Sequence, residues 1–211
     1  MNWKDTTILF LDTETTGLHA ASCRIIEVGY AIIKQRAIAG WDSFLINPEV
    51  TLPEKIIEIT GIVQDDVKDQ PTFVQVAGRI TQLMDEAAII GAYNVPFDRP
   101  FFAEEFKRVG QTFDEERPWI DPLDWVRNFD KYQRGKKLID AATRRGIKAE
   151  GAHRAAADAV MTAKVALSLF DKLPDDFTRL LTLQGMWHRL FQVELDAYRA
   201  RQARQAQREA K

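Results

Sequence analysis

The first apolar stretch, Ile8-Leu9-Phe10-Leu11, is uniform, short and bounded by polar residues on both sides. A run of that length predicts a central strand covered on both faces. From Arg24 to Lys34 the pattern turns to alternation, with Ile26, Val28, Tyr30 and Ile32 on one side, which predicts a half-buried strand. Trp41, Phe44 and Ile46 predict a third strand, reached through a turn at Gly40. Pro53 can open a short helix that the Thr60-Gly61-Ile62 stretch ends. Helical spacing follows through Phe73, Val76, Ala77, Ile80, Leu83 and Met84. Ala87 to Ala92 predicts a fourth strand, Phe101, Phe102 and Phe106 mark a helix that Asp98 begins, and Ile120 lies in a short fifth strand. Asp121-Pro122 supplies the cap and first turn of the next helix, and Val160, Ala163, Leu167 and Phe170 form a stripe of one starting near Ala155. Three strands, then strand and helix in alternation, predict an α/β fold: a mixed five-stranded sheet flanked by helices.

Pro174 breaks the pattern, so residues 1–173 are expected to form one domain and 174–211 a C-terminal helical extension. In the extension Phe177, Leu180, Leu181, Trp187, Leu190, Phe191, Leu195 and Tyr198 keep helical spacing, with Gly185 as a candidate bend and a polar, solvated tail from Arg199. Such a stripe either packs on its own domain or docks a partner chain. With 45% hydrophobic residues in 211 the chain can bury a sizeable core. Cys23 is the only cysteine, which excludes an internal disulfide and a thiolate metal site. The apolar run at Ile8 to Leu11 is far too short for a signal peptide or a membrane span, and a cytosolic protein without membrane contact is expected. A net charge of −2 makes the whole chain no magnet for nucleic acid. Between Val126 and Lys148, however, eight Lys/Arg face two acids, a local balance of +6. That stretch is either a solvated helical face or a phosphate-facing patch.

Four acids and one histidine stand where a side chain can be rigid yet exposed: Asp12 and Glu14 in FLDTETTGL, Asp98 in AYNVPFDRPFF, His153 and Asp158 in GAHRAAADAV. Asp12 and Glu14 are two apart at a strand end, so in extended geometry they share a face, at the carboxyl edge where open α/β sheets carry their sites. Asp98 is either a helix cap or a third member, and the two roles can coexist. His153, just before the last helix of the domain, and Asp158, one turn into it, can point into one cavity. Carboxylates gathered in one place repel one another and require cations, and hard oxygen donors suit Mg²⁺ or Mn²⁺. The natural anionic partner of such a centre is a phosphate. His19 and His188 read as structural or solvated.

These segments resemble the three motifs of the DEDDh 3′–5′ exonucleases, the family of the proofreading epsilon subunit of bacterial DNA polymerase III. FLDTETTGL is similar to the first motif, AYNVPFD to the second, and HRAAADA to the third with its His-x4-Asp spacing. EITGIVQDDVKDQPTF and LIDAATRRGIKAEGAHRAAADA resemble family connecting segments, so the likeness spans about Thr6 to Leu173. Many members carry His before the Asn of the second motif, where this chain has Tyr93 before Asn94. The sister branch has a Tyr four residues before the last Asp, and here Arg154 stands there. The resemblance implies a ribonuclease H-like fold and hydrolysis of single-stranded 3′ ends, DNA favoured over RNA, with two divalent ions, Mg²⁺ or Mn²⁺. Asp12 would bridge both ions, Glu14 and Asp158 complete the first, Asp98 hold the second, and His153 act as general base. Thr15, Leu18, Asn94 and Phe102 would contact the terminal nucleotide, although Leu18 and Phe102 equally suit core packing. A polymerase would be a separate chain, for which the C-terminal helix is a candidate dock.

Overall fold

The computed structural model describes residues 2–148 and 154–209. Three antiparallel strands come first: β1 (Ile8–Thr15), β2 (Ile25–Lys34) and β3 (Ala37–Leu45). Three helices follow, α1 (Glu54–Thr60), α2 (Gln64–Val67) and α3 (Phe73–Asp85). The chain then re-enters the sheet twice, with β4 (Ile89–Gly91) parallel to β1, α4 (Val95–Arg108), and β5 (Trp119–Ile120) parallel to β4. Helices α5 (Pro122–Phe129), α6 (Leu138–Thr143), α7 (Ala155–Leu167) and α8 (Phe177–Glu209) complete it. The sheet order is β3-β2-β1-β4-β5, the mixed five-stranded arrangement that the pattern predicts.

Side-chain parity along β1 divides the core. Ile8 and Phe10 point into a layer with α5, α7 and the start of α8, through Trp125, Val126, Ala159, Val165 and Leu180. Leu9 and Leu11 point into the opposite layer with α3 and α4, through Phe73, Ile80, Phe101 and Phe106. Both faces of β2 are covered as well, since Ala31 and Ile33 join the α7 layer while Val28 joins the other. The half-buried reading of β2 is therefore corrected: its second face is made of Glu27, Gly29, Ala31 and Ile33, where one acid and two small residues disguise the burial.

The turn into β3 lies at Gln35-Arg36, both with positive φ (50° and 61°), not at Gly40. Positive φ at both positions is the two-residue hairpin geometry that follows strand twist. Gly40 pairs with Ile32 in mid-strand, beside a register shift. Helix α4 begins at Val95, with Asn94 as its N-cap, so Asp98 sits one turn inside it and does not start it. Asp121 caps α5 as expected, accepting from the Leu123 N–H at 2.9 Å.

The first turns of α8 belong to the core. Leu180 is fully buried, and Trp3 packs edge-on against Phe170 and Trp125 while its indole N–H donates to the Pro174 carbonyl at 2.8 Å. Lys4 is buried too, tied to the Leu173 carbonyl and the Asp175 carboxylate, both at 2.7 Å. Gly185 interrupts nothing: past it Trp187 still packs on Phe129, His188 pairs with Asp124 and Phe191 lies under Arg127, while Leu190, Val193 and Tyr198 are exposed. Among the described residues no helix is long and apolar enough to cross a membrane.

Candidate active site

The parity that builds the core also aims the acids. Asp12 and Glu14 continue the Ile8-Phe10 face and point toward α7, whereas Thr13 points toward α4. Helix α7 lies unusually close to the sheet there. A Cβ on Gly29, the partner of Asp12 across β2, would come within 2.0 Å of the Ala155 carbonyl carbon at the start of α7. Only glycine permits that approach, and it brings Asp158, one turn along α7, to the acids of β1. Carboxylate oxygens of Asp12, Glu14 and Asp158 lie within 4.8 Å of one another, each residue half-buried.

Asp98 arrives from the opposite layer. Its Oδ1 accepts from the Thr13 N–H at 3.0 Å and the Thr13 hydroxyl at 2.8 Å, so β1 itself orients it. It is 3% exposed. The α4 N-terminus is fixed in turn by Asp121, which accepts from the N–H groups of Asn94 (3.0 Å) and Val95 (2.9 Å). Asn94 holds a left-handed conformation, φ 80°, that lets both N–H groups turn to the carboxylate.

A fifth acid, Glu27, was not anticipated. It lies opposite Glu14 on β2, has no exposed surface, and accepts from Ser43 Oγ at 2.7 Å. It also accepts from the Arg154 guanidinium and the Ala155 N–H, each at 3.3 Å, and so pins the start of α7. A charge inside the otherwise apolar run Ile25-Ile26-Glu27-Val28 was the sequence signal for it.

Burial, then repulsion from Asp98, Asp158, Glu14 and Glu27, holds the Asp12 carboxyl well above its ordinary value. Burial followed by Asp158 and Glu27 pushes Glu14 up to about 8, with Arg154 opposing. Asp98 is pushed up to about 7 by burial, although its Thr13 bonds pull the other way. A pocket that raises several carboxyls together, with converging oxygen donors, fits a hard divalent cation. Asp12, Glu14 and Asp158 are the residues that would hold it.

The remaining candidates divide. The Thr15 hydroxyl donates to the Gly17 carbonyl at 2.6 Å, shaping the turn on which Leu18 stands 77% exposed. Phe102 is fully buried beside Trp119 and presents no surface. His153 lies outside the described residues. The basic stretch is largely neutralised: Arg144 and Arg145 pair with Asp130 at 3.0 and 2.9 Å, and Arg127 pairs with Asp124 and stacks 3.7 Å over Phe191. Lys136 is turned onto the carbonyls of Asp130 and Gln133. As one phosphate-facing patch it does not survive.

A family model described as RNase_T, Exonuclease, matches residues 9–166, three quarters of the chain and all three motifs. The chain belongs to this exonuclease family. Among curated relatives, the PolC-type DNA polymerase III of Clostridium perfringens is 30% identical over 172 residues, 82% of this chain and 12% of that protein. The 3′-5′ exonuclease DinG of Staphylococcus aureus is 30% identical over 195 residues, 91% of this chain and 21% of that one. The chain thus spans only about an eighth to a fifth of those relatives. Its fold is shared with E. coli exonuclease I in complex with a dT13 oligonucleotide, at TM-score 0.69 and 23% identity over 78% of this chain and 41% of the other.

Proposed function

We propose that this chain is a 3′–5′ exonuclease that hydrolyses the terminal phosphodiester of single-stranded DNA and releases nucleoside 5′-monophosphates. The observation that carries the reading is the convergence of Asp12, Glu14 and Asp158 within 4.8 Å at the end of β1. Two divalent ions, Mg²⁺ or Mn²⁺, would supply charge neutralisation on the attacking and leaving oxygens. Asp12, Glu14 and Asp158 would hold one ion, and Asp12 with Asp98 the other. His153 takes a proton from the attacking water on a ring nitrogen. The hydroxide adds to phosphorus, the P–O3′ bond breaks, and the 3′ oxygen of the shortened strand recovers a proton. Thr15, Leu18 and Asn94 are assigned to the terminal nucleotide, with exposed Leu18 as an apolar surface for a base. Phe102, fully buried against Trp119, is a core residue and not a substrate contact.

DNA is the favoured strand because the PolC-type relative and the oligonucleotide-bound neighbour both concern DNA. Association with a separate polymerase chain, through the solvated half of α8, is the matching proposal for a partner, and the cytosol is the proposed compartment. End-labelled DNA and RNA of one sequence, single- and double-stranded, should be compared side by side with Mg²⁺, Mn²⁺ or EDTA. Shortening of single-stranded DNA from the 3′ end, stopped by EDTA and by Asp12→Ala, is expected. Full activity in Asp12→Ala defeats the metal assignment, and faster loss of RNA reverses the choice of strand.

A further inference from the structure

A groove of about 840 Å³ lies between α7 and edge strand β3. Its walls include Trp41, Ser43, Lys148, Arg154, Val160 and Lys164, and none of its described lining residues is acidic. Three features separate it from ordinary surface. Trp41 is 63% exposed although tryptophan is among the largest apolar side chains, so an indole face is open to solvent. Lys148 and Lys164 are exposed, and neither is engaged in an ion pair among the described residues. The groove also follows α7 from Ala156 to Lys164, the stretch of helix that carries Asp158. Those eight helical steps cover about 12 Å, room for about three stacked nucleotides.

We propose that this groove is the track for the strand on the 5′ side of the terminal nucleotide. It takes single-stranded nucleic acid, with a base stacked on Trp41 and backbone phosphates against Lys148, Lys164 and the solvent side of Arg154. The inference rests on the exonuclease reading and adds where its substrate runs. In a chain of net charge −2, two exposed lysines with no ion pair among the described residues, beside an open aromatic, are a local exception. Their combination is what sequence-tolerant strand binding uses: charge that follows the backbone and a ring on which any base can stack. Glu27 does not spoil the track, because it is fully buried and its charge is answered by Arg154.

The full chain, with Ca²⁺ in place of Mg²⁺, should be titrated against 5′-fluorescein dT13 by anisotropy. A parallel assay follows turnover of the p-nitrophenyl ester of thymidine 5′-monophosphate, which occupies only the terminal site. Lys148→Glu combined with Lys164→Glu should weaken dT13 binding roughly tenfold or more and flatten its salt slope by about 1.4, as two lost phosphate contacts require. Trp41→Ala should weaken it by about five- to a hundredfold, as loss of one stacked base requires, with Trp41→Phe restoring most of the affinity. Ester turnover should stay within about twofold of wild type in all of them, since none removes an acid or the base. Unchanged dT13 affinity and salt slope overturn the track, and so does an equal loss of ester turnover. If wild type binds dT13 in this groove-dependent way but releases no monophosphate with Mn²⁺, the exonuclease reading fails and the track stands.

Discussion

Glu27 shows how a residue with no access to solvent can govern the site. It repels Glu14 from the neighbouring strand and holds Arg154 and the first N–H of α7, the segment that carries Asp158. Glu27→Gln keeps the size and the hydrogen-bond acceptor but removes the charge that holds Arg154. Support groups of this kind commonly contribute ten- to a hundredfold to metal affinity or activity, so a fall of about that size is expected, chiefly in kcat. A variant with wild-type kcat would reduce Glu27 to packing. The raised carboxyls make a second prediction. Glu14 lies near 8 and Asp98 near 7 in the folded chain, against 4.5 and 3.8 ordinarily. The folded state then binds more protons than the unfolded one, so metal-free stability should decline as pH rises from about 4 to about 8 and level off above. Saturating Mg²⁺ should raise the melting temperature more at the upper end of that range than at the lower. A metal-induced shift independent of pH would show that these groups are already ionised.

At the scale of elements, the contact between β2 and α7 decides the site. Gly29 is required because the Ala155 backbone occupies the space a side chain would take. Gly29→Ala forces α7 away from the sheet, at a cost of about 1–3 kcal/mol for overpacking. Because Asp158 moves with the helix, activity should fall by more than the loss of folded protein explains. Urea denaturation alongside initial rates separates the two, and full activity in a destabilised variant would show that α7 tolerates the shift. The contact was only half visible in the chain. Glycine within an apolar strand signals close approach, but not what approaches. The turn at Gln35-Arg36 was missed for a similar reason: neither residue is a usual carrier of positive φ, and Gly40 drew attention from it.

For the whole molecule, α8 is both a core element and a projection. Leu180 and the clamp from Trp3 and Lys4 tie its first turns to the domain, whereas Tyr198 to Ala206 lie in solvent. A chain ending at Leu173 loses Leu180 and the Pro174 acceptor, and should be less stable by roughly 3 kcal/mol or more, comparable with deleting a large core side chain. A chain ending at Tyr198 should melt like the 211-residue chain and keep the proposed nuclease activity. Equal stability of the shorter chain would make everything after Leu173 an appendage, whereas a loss of stability at Tyr198 would give the tail a packing role.

What the sequence determined by itself was the order of elements and the identity of the acids. Apolar period and turn residues are local signals, and the motif spacing around Asp12, Asp98 and Asp158 survives without coordinates. Tertiary structure alone decided how those acids meet. Strand parity sends Asp12 and Glu14 to one helical layer and Thr13 to the other, where it takes hold of Asp98. It also decided that Arg127, Lys136, Arg144 and Arg145 of the basic stretch are spent on Asp124, Asp130 and local carbonyls, since a charge count cannot tell a partnered cation from an open one. Conversely, Lys148, Lys164 and Trp41, far apart in the chain, gained meaning only by lining one groove. Local periodicity is written residue by residue, but the approach of α7 to β2 depends on packing between segments more than a hundred residues apart, and that is what builds the site.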